Sequence, residues 1–254
     1  MTEAIVWSCA HADPKHSNER FDWLGAYIYD MKPDLVIDLG DGADMRSLNQ
    51  YDTLRGTKSF VTQSYEADVK SYIDSQQRLR KLFKQNKKRK PQWVGMEGNH
   101  EHRIKTAIAL DPRREGEKYG LSFGHLQTSK WFDEYHEYSH SGPAIAEYGG
   151  VDFAHFFAPN STGRALASTH HGHALLSKRH RSSVCGHTHQ RDIKFNDLAG
   201  TVGLVVGNYK GGPEDWAGQS NDLWWSGVVR LKNLSGGSFD PEFVSMKELK
   251  DEYS

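Results

Sequence analysis

Two short apolar runs near the start of the chain, AIVWS (residues 4–8) and DLVIDLGD (34–41), enclose a segment in which Phe21, Leu24, Ile28 and Met31 recur at spacings of three and four. Those spacings describe one face of a helix, and Pro33 marks where it must end. The runs themselves read as short buried strands. Strand, helix and strand joined by tight connections form a βαβ unit, which requires a parallel sheet and places ligands beyond the carboxyl ends of its strands. The fold class expected is therefore α/β.

The rest of the chain extends that pattern. A second helical periodicity runs from Val61 to about Lys90, with Val69, Ile73, Leu79, Leu82 and Phe83 as its apolar face, and ends in KQNKKRK. Between Arg78 and Lys90 there are basic residues and no acidic ones, which reads first as a solvated helix face and second as a cleft border that guides a polyanion. Pro91 introduces QWVGMEGNHE, a strand running into a glycine turn. Residues 103–150 are polar and irregular and read as helix and loop insertions. A strand around 151–157, a helix around 165–177 and four β segments in quick succession (SSVCGHTH, TVGLVVGN, WSGVVRLKN, EFVSMKE) complete the chain. With 254 residues, 37% of them hydrophobic, one large domain over 1–254 is expected, with insertions at about 50–90 and 103–150.

The chemistry-bearing residues gather where β segments give way to turns: Cys9 and His11, Asp41 and Asp44, Asn99 and His100, His155, His187 and His189. Ligands from distant segments can meet when rigid elements aim them at one rim, and the carboxyl edge of a sheet is such a rim. Oxygen, nitrogen and sulfur donors together suit manganese, iron or zinc, and suit calcium poorly. One carboxylate beside glycine, one amide, four of the imidazoles and one thiol make seven donors, more than one tetrahedral ion needs. Two ions sharing a carboxylate, about 3.5–4 Å apart, would use them all in the arrangement that serves in-line attack at phosphorus. Gly40, Gly98 and Gly186 sit directly beside these residues and are expected to let the chain turn sharply there. Arg103 and Arg164, in loop positions, are candidates to grip a phosphate.

In order and approximate spacing, CAH, GDGAD, GNHE, FAH and CGHTH resemble the calcineurin-like metallophosphoesterases, whose pattern is DxH, GDxxD, GNH(D/E), H and GHxH. The likeness spans Cys9 to His189. It implies a four-layer α/β/β/α sandwich and a dinuclear centre. Carried over by position, Cys9, His11, Asp41 and His189 would hold one divalent ion, and Asp41, Asn99, His155 and His187 the other, with manganese first and iron or zinc as alternatives. His100 would act as acid or charge stabiliser, oriented by Asp44. Cys9 departs from the pattern, standing where the family has an aspartate, so one site exchanges a hard oxygen for a softer sulfur. Lariat-debranching phosphodiesterases look similar at this position. Asp13, two residues past His11, is an alternative oxygen donor.

The function expected is hydrolysis of a phosphodiester, in nucleic acid or a nucleotide, by water that the cations make acidic. The alternatives are a phosphomonoesterase acting on a phosphoprotein or small metabolite, and a binding protein that kept the scaffold. With 32 Lys+Arg against 33 Asp+Glu, the chain is no basic nucleic-acid binder overall, so attraction of a polyanion must be local. Cys9 and Cys185 follow no secretory signal and read as reduced thiols of a soluble, cytoplasmic protein, Cys185 being core. No run approaches the roughly 20 apolar residues of a membrane span. A rival histidine cluster, His170, His171 and His173, is expected to lie apart from any carboxylate. DLWWSG (222–227) fits an interface, a lid or core.

Overall fold

The computed structural model describes residues 2–50, 64–84, 90–139, 142–159, 163–166 and 168–254. The expected helix start at Val61, most of the insertion at 50–63 and the cationic run at 85–89 lie outside the described residues.

The first βαβ unit forms as β1 (Thr2–Trp7), α1 (Arg20–Met31) and β2 (Leu35–Asp38), with β1 and β2 parallel. Helix α2 (Tyr65–Leu79) leads to β3 (Gln92–Met96), which runs into α3 (Asn99–Leu110). A short α4 (Thr128–Trp131) precedes β4 (Glu134–His136). These strands build a six-stranded sheet ordered β11-β10-β1-β2-β3-β4, closed on one side by the antiparallel pair β10 (Gly227–Ser235) and β11 (Ser238–Ser245). A second sheet, ordered β5-β6-β7-β9-β8, is formed by β5 (Ala146–Tyr148), β6 (Val151–Ala154), β7 (Ser183–Cys185), β8 (Arg191–Asn196) and β9 (Thr201–Val206). Helix α5 (His171–Arg179) and the terminal α6 (Met246–Tyr253) complete the set.

Alternation along the strands assigns the layers. In β1, Ala4 and Val6 point into an apolar core shared with Leu35, Ile37 and Val229 of the same sheet and with Phe153, Val184 and Leu204 of the second. Ile5 and Trp7, on the opposite face, pack with Phe21, Leu24 and Ile28 of α1 and with Leu79 of α2. A third core of Ala154, Leu175, Cys185 and Val205 joins the second sheet to α5. Helices, sheet, sheet and helix therefore stack in the four layers expected, with strand residues of period two serving both neighbours. Cys185 is core, as expected. No helix among the described residues is long and apolar enough to cross a membrane.

Several elements differ from the sequence reading for identifiable reasons. Helix α2 buries Asp68, Ser71, Tyr72, Ser75, Gln76 and Leu79, so its inner face is largely polar; of the expected apolar face, Leu79 and Phe83 are buried, Val69 and Ile73 pack half-buried against the core, and Leu82 is exposed. Helix α5 begins at His171, later than expected, where the Gly172 N–H donates to Asp192 Oδ2 (2.8 Å). Strand β8 is mostly exposed, its short alternation limited to Ile193, half-buried against the core, and Phe195, which is exposed. Within 103–150, β4 pairs with β3 and extends the first sheet, so that part is sheet edge and not insertion.

Two cations of the basic run, Arg78 and Arg80, serve packing, while Lys81, Lys84 and Lys90 are exposed, as the solvated-face reading expected. Arg78 pairs with Asp22 (2.5 Å) and Asp74 (3.0 Å), tying α2 to α1. Arg80 is buried, donates through Nε and Nη2 to the Trp131 carbonyl (3.0 and 2.6 Å) and through Nη1 to Gln76, and stacks on Trp93. A guanidinium so held cannot be a solvated face, because removing it strands buried acceptors. Replacement of Arg80 by Met is expected to cost about 3 kcal/mol in urea unfolding, whereas Arg78→Ala, which breaks partly exposed ion pairs, should cost less than about 1 kcal/mol.

Candidate metal centre

Each parallel strand delivers a short loop to the same edge of the molecule. The loops after β1 and β2 continue to pair beyond the sheet: Cys9, His11 and Ala12 donate their N–H groups to the carbonyls of Gly40, Asp41 and Gly42 at 2.8–2.9 Å. The loop after β7 joins them through the His187 N–H, which donates to Cys9 Sγ (3.2 Å), and the Gly186 N–H, which donates to the His155 carbonyl (3.0 Å).

The glycines permit this convergence in two distinct ways. Gly40 alone of the three adopts a left-handed φ (+96°) and turns the chain; a Cβ there would lie 2.6 Å from the Gly98 nitrogen. At Gly98 and Gly186 the backbone does not turn left-handed. A side chain at Gly98 would collide with Asp41, and one at Gly186 with Ser8. Their requirement is close approach and not the sharp turn the sequence suggested. The left-handed conformations fall instead on the candidate ligands: Cys9, His11, Asp41, His187 and His189 all have φ between 44° and 69°. Each such residue is strained by about 1–2 kcal/mol, and strain of this kind collects where side chains must be aimed.

The donor atoms form two groups that meet at Asp41. In the first, His155 Nδ1–H donates to the Leu39 carbonyl (2.9 Å), which fixes the tautomer. Its Nε2 lone pair then faces Asp41 Oδ2 (3.2 Å), Asn99 Oδ1 (2.9 Å) and His187 Nδ1 (3.2 Å). In the second, His11 Nδ1–H donates to Asp44 Oδ1 (3.1 Å), so its Nε2 faces His189 Nε2 (3.0 Å). Cys9 joins both groups, its sulfur lying within 4.8 Å of donor atoms of His11 and His189 on one side and of Asp41 and His155 on the other. Asp13 stands outside: its carboxylate accepts from the N–H groups of Lys15 and His16 and from the His16 ring, and so holds the loop.

Electrostatics favour deprotonated ligands. Burial, with a contribution from His100, brings His11 down to about 4; burial and His155 bring His187 down to about 4; burial and His11 bring His189 down to about 2. Burial alone would push Asp41 up, but His155, His100 and His11 hold its carboxyl well below the usual range. Burial and the neighbouring Asp41 keep the Cys9 thiol well above its ordinary value, a proton that a bound cation would displace. Neutral imidazoles bring few protons to share among nitrogen and oxygen atoms 2.9–3.2 Å apart, and His189 Nδ1 is buried without a partner among the described residues. Atoms about 2.1 Å from a common ion lie about 3 Å apart when they subtend a right angle. The residues present therefore fit a bound metal ion, and the N–H bonds of His155 and His11 are of the kind that metal-binding imidazoles make.

His100 and Asp44 adjoin this cluster. His100 Nδ1–H donates to the Asp44 carbonyl (2.7 Å), and its Nε2 accepts from Arg103 Nη2 (3.0 Å), while Arg103 Nη1 donates to the same carbonyl (2.8 Å). Burial opposes ionisation of Asp44, yet the N–H donors of His100 and His11 hold its carboxyl well below the usual range. A cavity of about 560 Å³ opens over these groups, lined in part by His11, Asp41, Asn99, His100, Arg103, His187 and His189. Arg103 is thus placed on the cavity. Arg164 is exposed and does not line it. In the rival cluster it is His171 that turns inward, beside Asp192 and Gln190, so a carboxylate does lie nearby; His170 and His173 stay exposed. The two tryptophans of DLWWSG divide: the ring of Trp224 lies 4.3 Å from that of His189 on the cavity wall, and Trp225 packs on Phe243 in the sheet core.

Glu101 is the residue the sequence did not single out. It is buried, and its carboxylate accepts the N–H groups of Asp41 (3.0 Å), Ala43 (2.7 Å) and Gly98 (3.0 Å), clamping the loop after β2 against the loop after β3. Its place in GNHE was the available signal, three residues after the Gly98 it binds.

No family model matches the chain, and no curated protein does. Among solved structures, a conserved predicted phosphoesterase from Streptococcus pneumoniae TIGR4 is similar at 10% identity and a TM-score of 0.37, over 97% of this chain and 90% of that one. The calcineurin-like phosphoesterase YfkN from Bacillus subtilis is similar at 12% identity and a TM-score of 0.39, over 97% and 91% respectively. Neither likeness, at these values, adds to what the geometry shows by itself.

Glu101→Gln turns one acceptor into a donor against a backbone N–H. It is expected to lower stability by about 2–3 kcal/mol and to reduce bound metal, read by calorimetric melting and elemental analysis of the same preparation.

Proposed function

We propose that this protein is a dinuclear-metal-dependent phosphoesterase that hydrolyses a phosphodiester, in nucleic acid or a nucleotide. The observation that carries the reading is the convergence on the Asp41 carboxylate of imidazole, amide and thiol donors, most of them held in strained backbone conformations and facing one another with few protons to share. Such strain has no packing benefit and is explained by a ligand that needs all of these atoms at once. Cys9, His11, Asp41 and His189 would hold one ion, and Asp41, Asn99, His155 and His187 the other, manganese first and iron or zinc next. When bound, two such cations supply a more acidic water and offset charge on a phosphoryl group.

The chain's own residues then have separable tasks. Asp41, accepting the His100 backbone N–H at Oδ1 (2.8 Å) and facing His155 at Oδ2, keeps the two halves in register. Asp44 orients His11 and His100 together. Arg103 brings a guanidinium to the cavity for phosphoryl oxygens, and its movement toward them frees His100 Nε2, which must first take a proton from solvent before it can give one to the leaving oxygen.

Protein purified without chelator is expected to carry close to two metal equivalents and Asp41→Ala fewer than one, by elemental analysis. Supplied with manganese, the wild type should cleave bis(p-nitrophenyl) phosphate faster than p-nitrophenyl phosphate; a reversed preference would make it a phosphomonoesterase, and inactivity on both would remove the hydrolytic reading. His100→Asn, which keeps an acceptor and donor but cannot act as an acid, is expected to lower kcat by about 10²–10⁴ while metal content stays unchanged.

A further inference from the structure

The loop after β7 supplies His187 to one donor group of the centre and His189 to the other, and Thr188 stands between them on the cavity wall. Its backbone N–H is spent on the Gly186 carbonyl (2.9 Å). Its hydroxyl oxygen, Oγ1, is buried with no hydrogen-bond partner among the described residues. A buried hydroxyl left unsatisfied costs stability that a valine of the same shape would not, and an orphaned group of this kind calls for a reason. The neighbours of Thr188 on this wall are already engaged: His187 faces Asn99 and His155, His189 faces His11, and Gln190 is held by the buried His171. Among the described residues, Thr188 is therefore the unengaged donor that this loop brings to the cavity. The two groups already assigned to the substrate, His100 and Arg103, both belong to α3.

We propose that the Thr188 hydroxyl donates a hydrogen bond to a phosphoryl oxygen of the substrate seated over Asp41, which makes the loop after β7 a second source of substrate contacts beside α3. The inference rests on the phosphoesterase reading and deepens it by naming a residue that holds the reacting group. Threonine carries its hydroxyl and its methyl group on one carbon, and a rotation of about 120° about Cα–Cβ exchanges them. An oxygen now shielded from water can thus be turned to a ligand without moving the backbone that aims His187 and His189. An O–H donated to an anionic phosphoryl oxygen is a charge-assisted bond, roughly twice as strong as a neutral one, and it offsets the cost of keeping the hydroxyl unsatisfied before substrate arrives.

Inorganic phosphate is the probe, titrated by calorimetry into the manganese-loaded wild type, Thr188→Val and Thr188→Ser, with the metal content of each preparation measured alongside. Thr188→Val is expected to bind phosphate about tenfold more weakly, equivalent to about 1.4 kcal/mol, with metal content unchanged and with a melting temperature, measured without metal, no lower than that of the wild type. Thr188→Ser keeps the hydroxyl and should bind phosphate as the wild type does. If the valine variant does not fold, Thr188→Ala takes its place in the comparison. Equal affinities in the wild type and the valine variant overturn the contact. So does a loss of affinity that the serine variant shares or that follows a loss of metal, because Thr188 then only supports the two histidines. A Thr188-dependent phosphate site in a protein that hydrolyses neither p-nitrophenyl ester leaves the contact standing and removes the hydrolytic reading, whereas an unchanged affinity with the diester still cleaved removes the contact alone.

Discussion

The carboxylate of Glu101 is the joint on which the centre depends. Adjacent parallel strands bring the loops after β2 and β3 side by side, but loops that end strands diverge unless something satisfies their N–H groups. Glu101 accepts three of them, from Asp41, Ala43 and Gly98. With Gly98 lacking a side chain, Asp41 can lie directly against the β3 loop, where His100 donates its backbone N–H to Oδ1. Burial and the nearby Asp41 charge push the Glu101 carboxyl well above its usual range, against the N–H donors that fix the geometry and favour its ionised form. A cation held at Asp41 would offset that charge and so couple ion binding to the order of both loops.

From that joint outward, the centre is stiff by construction. Left-handed φ at Cys9, His11, Asp41, His187 and His189 would relax in isolated loops. Here the loops hydrogen-bond to one another as if the sheet continued, and Tyr209 N–H closes the back by donating to the Ser8 carbonyl (2.9 Å). Two well-packed sheets beneath supply the rigidity, and the edge above them carries the chemistry. Asp44 shows how economical the arrangement is. One side chain and its own carbonyl set the ring orientation of His11 and His100 and anchor Arg103.

The periodicities of the first forty residues and the short glycine-flanked motifs determined the parallel sheet, the strand ends and the polar residues placed on them, because buried strands and tight turns leave local signatures in composition. What only the tertiary structure decided is non-local. Glu101 looks like any exposed helical acid until the loop after β2 is laid on it; Arg80 looks solvated until Trp131 and Trp93 enclose it; Arg46 lies far in sequence from Glu214 and meets it only through the fold. Gly98 reads as a turn residue, yet its function is to leave room for Asp41, a neighbour from the preceding strand's loop. Hydropathy reports whether a residue prefers water, whereas the hydrogen-bond partner that makes a buried charge tolerable comes from another strand, and that information exists only once the strands are side by side.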